Sequence, residues 1–235
     1  MSQTSPSAAA YGGFDAAWCA TDLGDFRPCA STYERYPIDS VPPLEPGRFT
    51  GAFDWFGELG DPVDEQVKLL DEVSAELAGL GLALPADFVA FQTRGGGHQA
   101  LDEVSVTACW TDISRPLPSP LRDGAWLVRF LRDQQDCVIW YLYLRPTGEA
   151  FVVFSYYEYE ELYADRDSGE PDERLIAFLE DADRQRAALV WCAASFEEFA
   201  FRFWIENQIW NRSGDDLEEF DGQERAYLEH YRPAA

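Results

Sequence analysis

The chain has 235 residues, 46% of them apolar and 15% aromatic, enough to bury roughly 70% of the unfolded surface around one core and to exclude a disordered chain. Its 43 Asp and Glu against 18 Lys and Arg give a net charge of −25. Such a field repels phosphate backbones and anionic lipid, which disfavours nucleic acid and membrane partners and favours a basic protein, although surplus acid also serves solubility alone.

Met1 to Ala10 are small and polar, with neither a basic nor an apolar run. They predict a mobile terminus without a secretory signal, hence a cytoplasmic location. Residues 1–60 are rich in Gly, Pro and aromatics and hold no sustained period, so they read as an N-terminal arm preceding a domain over 61–235. Phe14, Trp18, Phe53, Trp55 and Phe56 would pin the arm to the core. Asp61 is placed to cap a helix whose first position is Pro62. Val63, Val67, Leu70, Val73, Leu77 and Leu80 recur at helical spacing until Gly79 or Gly81. A second short helix starts on Pro85, carries Phe88 and Phe91, and stops at Arg94-Gly95-Gly96-Gly97. Val104 to Trp110 reads as a strand.

The clearest β signal follows. Trp126 to Leu131, Val138 to Leu144 and Ala150 to Tyr156 are joined by turn-forming residues and predict an antiparallel meander. The middle strand is apolar on both alternating faces, Val138, Trp140, Leu142 and Leu144 against Ile139, Tyr141 and Tyr143, as a central strand with helices on one face and an aromatic second face would be. After Tyr157 comes an acidic run, Glu158, Glu160, Glu161, Asp165, Asp167, Glu170, Asp172 and Glu173. Glu173 to Ala187 predicts a helix and Leu189 to Cys192 a short strand. Ser195 and Glu198 have the spacing of a capping box opening a helix with the stripe Phe196, Phe199, Phe203 and Trp210, widened by Trp204 and Ile205. A last helix spans about Gln223 to Tyr231. The fold class is α+β, an antiparallel meander packed against helices on one face.

The order of a helix, the Leu84-Pro85-Ala86-Asp87-Phe88 helix, a Gly-rich turn, antiparallel strands and the Ser195-Phe196-Glu197-Glu198-Phe199 helix resembles the SUKH superfamily, the Smi/Knr-like proteins of bacteria and fungi. Cys192-Ala193-Ala194-Ser195-Phe196-Glu197-Glu198-Phe199 running into Phe203-Trp204-Ile205-Glu206-Asn207-Gln208-Ile209-Trp210 is similar to the C-terminal helix of its actinobacterial members. The resemblance covers about residues 62–212, and Arg94 stands where the family has Asn in its Asn-Gly-Gly turn. It implies an immunity protein that neutralises a toxin, or a regulatory hub as among the fungal members, and no catalysis.

The residues themselves point the same way. Five scattered cysteines without a CxxC pair read as reduced thiols. His98 and His230 lack partners at metal-ligand spacing, and no nucleophile elbow, P-loop or dinucleotide fingerprint is present, so neither metal nor cofactor is expected. A Cys137–His98 dyad is disfavoured because Cys137 opens an apolar strand where burial would make it inert. Glu158, Glu160 and Glu161 could pair for glycoside hydrolysis, but in so acidic a chain such pairs arise by chance. The expected function is non-catalytic binding by a monomer; the resemblance implies a toxin domain as the partner, basic and of nuclease type to suit the acidic chain, with a regulatory or scaffold hub of the same fold as the alternative. Its partner surface would be the exposed sheet face and the acids after it: Tyr141, Tyr143, Tyr157, Glu158, Glu160, Glu161, Asp165 and Asp167. In the competing reading the N-terminal arm covers these tyrosines and the acids are merely solvated.

Overall fold

In the predicted meander, β5 (Trp126–Arg132), β6 (Ile139–Leu144) and β7 (Ala150–Ser155) pair antiparallel in sequence order. Their turns carry the required chemistry. Asp133 Oδ1 accepts the Gln135 and Cys137 amides at 2.8 and 3.3 Å before β6, and Gly148, at φ +85°, closes the β6–β7 turn. The computed structural model describes residues 11–45, 47–121, 123–167, 173–212 and 217–232. Met1 to Ala10, Glu170 and Asp172, on which sequence expectations fall, lie outside them.

Among the described residues the meander belongs to an eight-stranded sheet of order β2-β1-β8-β7-β6-β5-β3, with β4 also on β5. Here β1 is Asp15–Ala20, β2 Glu34–Pro37, β3 Trp110–Thr111, β4 Leu117–Pro118 and β8 Val190–Ala193. The architecture is α+β. Pairing is antiparallel except between β1 and β8, where Asp15 and Ala16 lie parallel to Val190 and Trp191. Residues taken from sequence as an arm thus supply two strands, and a boundary at residue 60 does not separate them from the sheet. Their Gly and Pro content hid them, since β1 is only six residues long, β2 only four, and β8, the parallel partner of β1, lies far along the chain.

The helices are α1 (Asp64–Gly79), α2 (Ala86–Gln92), α3 (Gly97–Val104), α4 (Tyr159–Asp167), α5 (Glu173–Glu180), α6 (Ala182–Ala188), α7 (Phe196–Asn211) and α8 (Gly222–Glu229). Helix α1 starts three residues after its apparent cap, Asp61, and its N-cap position is Val63. The Gly95 amide donates to Asp61 O and the Val63 amide to Thr93 O, so residues 60–63 pair with the glycine turn. That turn follows the end of α2 at Gln92, as expected, but also opens α3. Gly96 takes φ +77°, and a Cβ at Gly97 would run into the Phe91 carbonyl. The expected strand over 104–110 is consequently the end of α3, a turn, and the first residue of β3. The predicted helix over 173–187 is two helices, because the Asp181 side chain accepts the Asp183 and Arg184 amides at 3.1 Å and caps α6.

Helix α7 packs on one sheet face. Ser195 Oγ accepts the Glu198 amide at 3.2 Å, while Glu198 Oε2 reaches one residue further back than a capping box requires, to the Ala194 amide. Phe199 lies against Trp18, Phe130 and Trp140 with ring centroids 5.1–5.8 Å apart. Of the expected stripe, Phe196, Phe199, Phe203 and Ile205 are buried and Trp204 and Trp210 are partly exposed, while Ala200, Phe201 and Ile209 are buried as well. Four buried polar residues of α7 find partners. Glu206 accepts from Arg27, Trp18 Nε1 and Tyr227, Glu197 from the Phe53 amide at 2.8 Å, Arg202 donates to Tyr227 and Pro42 O, and Asn207 binds Val106 N and Phe203 O. The opposite sheet face carries a second, smaller cluster of Ile139, Tyr141, Tyr143, Phe151 and Val153 with Phe14 and Tyr159. Helices therefore cover both faces, not one.

Candidate protein-binding surface

The structure divides the eight sequence-selected residues into two groups. Tyr141 and Tyr143 are fully buried and offer no contact surface. Tyr143 lies beneath Phe14, ring centroids 5.0 Å apart, so part of the N-terminal segment does cover it. Tyr141 lies beneath α4, where its hydroxyl donates to Tyr157 O at 3.0 Å and accepts the Tyr159 amide at 3.3 Å. Burial pushes its phenol well above the ordinary range, with the Glu158 charge adding to the effect.

Glu158 is buried too, and anchors α4. Its Oε2 accepts the Glu161 amide at 2.6 Å and its Oε1 the Glu160 amide at 3.3 Å, in the manner of a helix cap. The same Oε1 accepts from Arg129 Nη1 of β5 at 2.5 Å. Burial works against the Arg129 charge, but Asp112, Glu158 and Glu160 outweigh it and hold the guanidinium protonated. A carboxylate so occupied is unsuited to general acid or base work.

Tyr157, Glu160, Glu161, Asp165 and Asp167 remain at the surface. Around them the molecule leaves apolar surface in water. Five large hydrophobic side chains are exposed among the described residues, and Tyr156, Tyr157 and Ile176 are three of them, at 45, 40 and 36%. Helix α5 has an amphipathic sequence, yet none of its described side chains is buried. It is held by the Tyr157–Phe178 stack, centroids 4.3 Å apart, and by Gln185 Nε2, which donates to Phe178 O at 2.9 Å.

Two open clefts flank α5. One, of about 410 Å3, lies between Pro118-Ser119-Pro120, Tyr163 of α4, and Ile176, Leu179 and Glu180 of α5. The Tyr163 hydroxyl donates to Pro118 O at 2.8 Å and ties its walls together. The other, of about 640 Å3, is lined by Tyr156, Tyr157, Leu162, Phe178, Arg184, Ala187 and Ala188. Sequence reading missed Tyr156, Ile176, Phe178 and Leu179. The spacing of Ile176 and Leu179 signals an amphipathic helix, but amphipathicity alone does not tell a buried stripe from an uncovered one.

Cys137 is exposed ahead of β6 and not buried within it. Its thiol is nevertheless shifted upward, by desolvation and the Asp133 and Asp136 carboxylates, which disfavours the nucleophilic thiolate. A smaller cleft of about 220 Å3 on the α7 side holds Tyr11, Asp39, Trp191 and Glu198. Burial raises the Glu198 carboxyl, but Oε2 is engaged with the Ala194 amide. No helix among the described residues is long and apolar enough to cross a membrane. Comparison of the chain with protein-family models, curated proteins and solved structures finds no match.

Proposed function

We propose that this chain is a non-catalytic binding protein of the SUKH type, an immunity protein that occludes a basic, nuclease-type toxin domain through its α4–α6 face. The observation that carries the reading is the coincidence there of uncovered Tyr156, Tyr157 and Ile176 with exposed Glu160, Glu161, Asp165 and Asp167. Aromatic and aliphatic anchors supply contact energy once water is excluded, and a carboxylate rim steers a cationic partner and speeds its approach. A toxin that attacks nucleic acid carries the matching positive surface. Because Glu158 and Tyr141 hold the fold, the contact residues are Tyr157 and the outer acids. A constitutive hub of the same fold, without a toxin, is the second reading, favoured by the two separate clefts.

The test is co-expression with the protein encoded beside this gene. Neutralisation of a toxic neighbour, slowed association in Glu160→Lys/Glu161→Lys and a flatter salt dependence with an unchanged melting curve are expected. An unchanged association rate would place the interface elsewhere. Turnover of an ester, phosphate or glycoside substrate that a single substitution abolishes would overturn the non-catalytic reading.

A further inference from the structure

Among the described side chains of helix α5, Ile176 is exposed and Phe178 and Leu179 are only half-buried, although an amphipathic helix on a globular domain normally buries its apolar side against the body it rests on. Here Ile176 and Leu179 border one cleft and Phe178 the other. Both cavities fall within the ~300–1,000 Å3 typical of pockets that receive ligand groups. They lie on either side of one helix, so a single small molecule would fill one and leave the other, whereas one polypeptide segment crossing α5 reaches both.

We propose that α5 is the docking element, and that its two clefts each receive one apolar side chain of a cationic segment of the partner, whose Lys or Arg residues meet the carboxylates around them. This rests on the binding reading above and specifies its chemistry. The charge argument is local. Glu180 lines the first cleft, and Glu161 of α4 and Asp183 of α6 are exposed on the helices that flank α5, while Glu160, also exposed, is paired with Arg129 at 3.1 Å. Each cleft also has an arginine in its lining, Arg166 in the first and Arg184 in the second, and each has a carboxylate beside it, Asp167 at 2.8 Å and Asp181 at 3.3 Å. An acidic or neutral segment would gain nothing from this rim. A membrane would require a basic one.

The anchors and the rim make separable contributions, which fixes the experiment. The full chain is titrated with a fluorescein-labelled synthetic helical peptide of Leu and Lys and with its counterpart in which every Leu is Ser. At physiological ionic strength the Leu peptide should bind at least about tenfold more tightly, as burial of a leucine-sized side chain in each cleft implies. Ile176→Ser should remove most of that advantage while leaving the melting temperature unchanged, because Ile176 is exposed. Leu80→Ser, at a hydrophobic residue 43% exposed outside the groove, should leave it intact. Equal affinity for the two peptides, or an advantage that survives Ile176→Ser, overturns the two-anchor assignment. If Ile176→Ser also leaves neutralisation of the neighbour intact while Glu160→Lys/Glu161→Lys weakens it, the docking inference fails and the acidic-face reading stands.

Discussion

Helices α7 and α5 both carry apolar side chains at helical spacing, α7 nearly all round and α5 on one side, yet they have opposite fates. Eleven of the 16 residues of α7 are buried, and its polar groups inside the protein are matched by Arg27, Trp18, Tyr227 and backbone donors. In α5 no described side chain is buried, and its described contacts include a ring stack and one amide bond. The difference lies in what each helix meets. The α7 side faces aromatic residues from β1, β5 and β6, while α5 faces α4, whose own single buried residue is Tyr159. One region serves stability; the other keeps apolar surface in reserve.

Alkali should test this contrast most severely. Phenols on both sides, Tyr227 beside α7 and Tyr141 beneath α4, are raised well above their ordinary value by burial, and Tyr163 at the groove is pushed up to about 12. The unfolded phenols ionise near 10. Below that pH their contribution to stability is fully present. Above it the unfolded chain sheds protons that the folded one keeps, and stability falls as pH rises toward the folded values. Absorbance of phenolate should therefore develop together with unfolding. If the α4–α6 side opens independently, Tyr141 ionises before the far-ultraviolet signal is lost, and early ionisation of Tyr227 instead would invert the assignment of the stable side.

Within the stable side, Phe199→Ala should cost about 3–5 kcal/mol, since the ring is fully buried among aromatics that cannot close the gap. Denaturant melts read the value, and a loss below about 1 kcal/mol would mean that α7 is not the core helix described here. On the other side, Glu158→Ala should cost about 1–3 kcal/mol by stripping the α4 amides of their acceptor. The lower end is expected because Arg129 retains Asp112 and Glu160. Hydrogen exchange should show the loss confined to α4 and α5. A global loss of protection would show that the two sides unfold as one unit.

Much of this was legible in the chain itself. The meander over 126–156, the Pro85 helix start, the Ser195 cap and the fully apolar β6 follow from turn chemistry, capping and two-residue alternation, which are local properties and survive without a partner. Local signals also misled where a distant segment supplied the hydrogen bonds. Asp61 had the form of a cap, but Thr93 and Gly95 engage that backbone. Gly95-Gly96-Gly97 follows the end of α2 at Gln92, as expected, but the same turn also opens α3, with Phe91 packed too closely against Gly97 for anything but a glycine there.

The candidate surface was half legible for the same reason. Sequence alone determined that the region after β7 is acidic and aromatic, because charge and composition are sums over residues. It could not determine that α4 and Phe14 would bury Tyr141 and Tyr143, that Arg129 would claim Glu158, or that Ile176 of α5 would remain exposed. A side chain's exposure depends on which distant elements pack over it, and only the tertiary structure decides that.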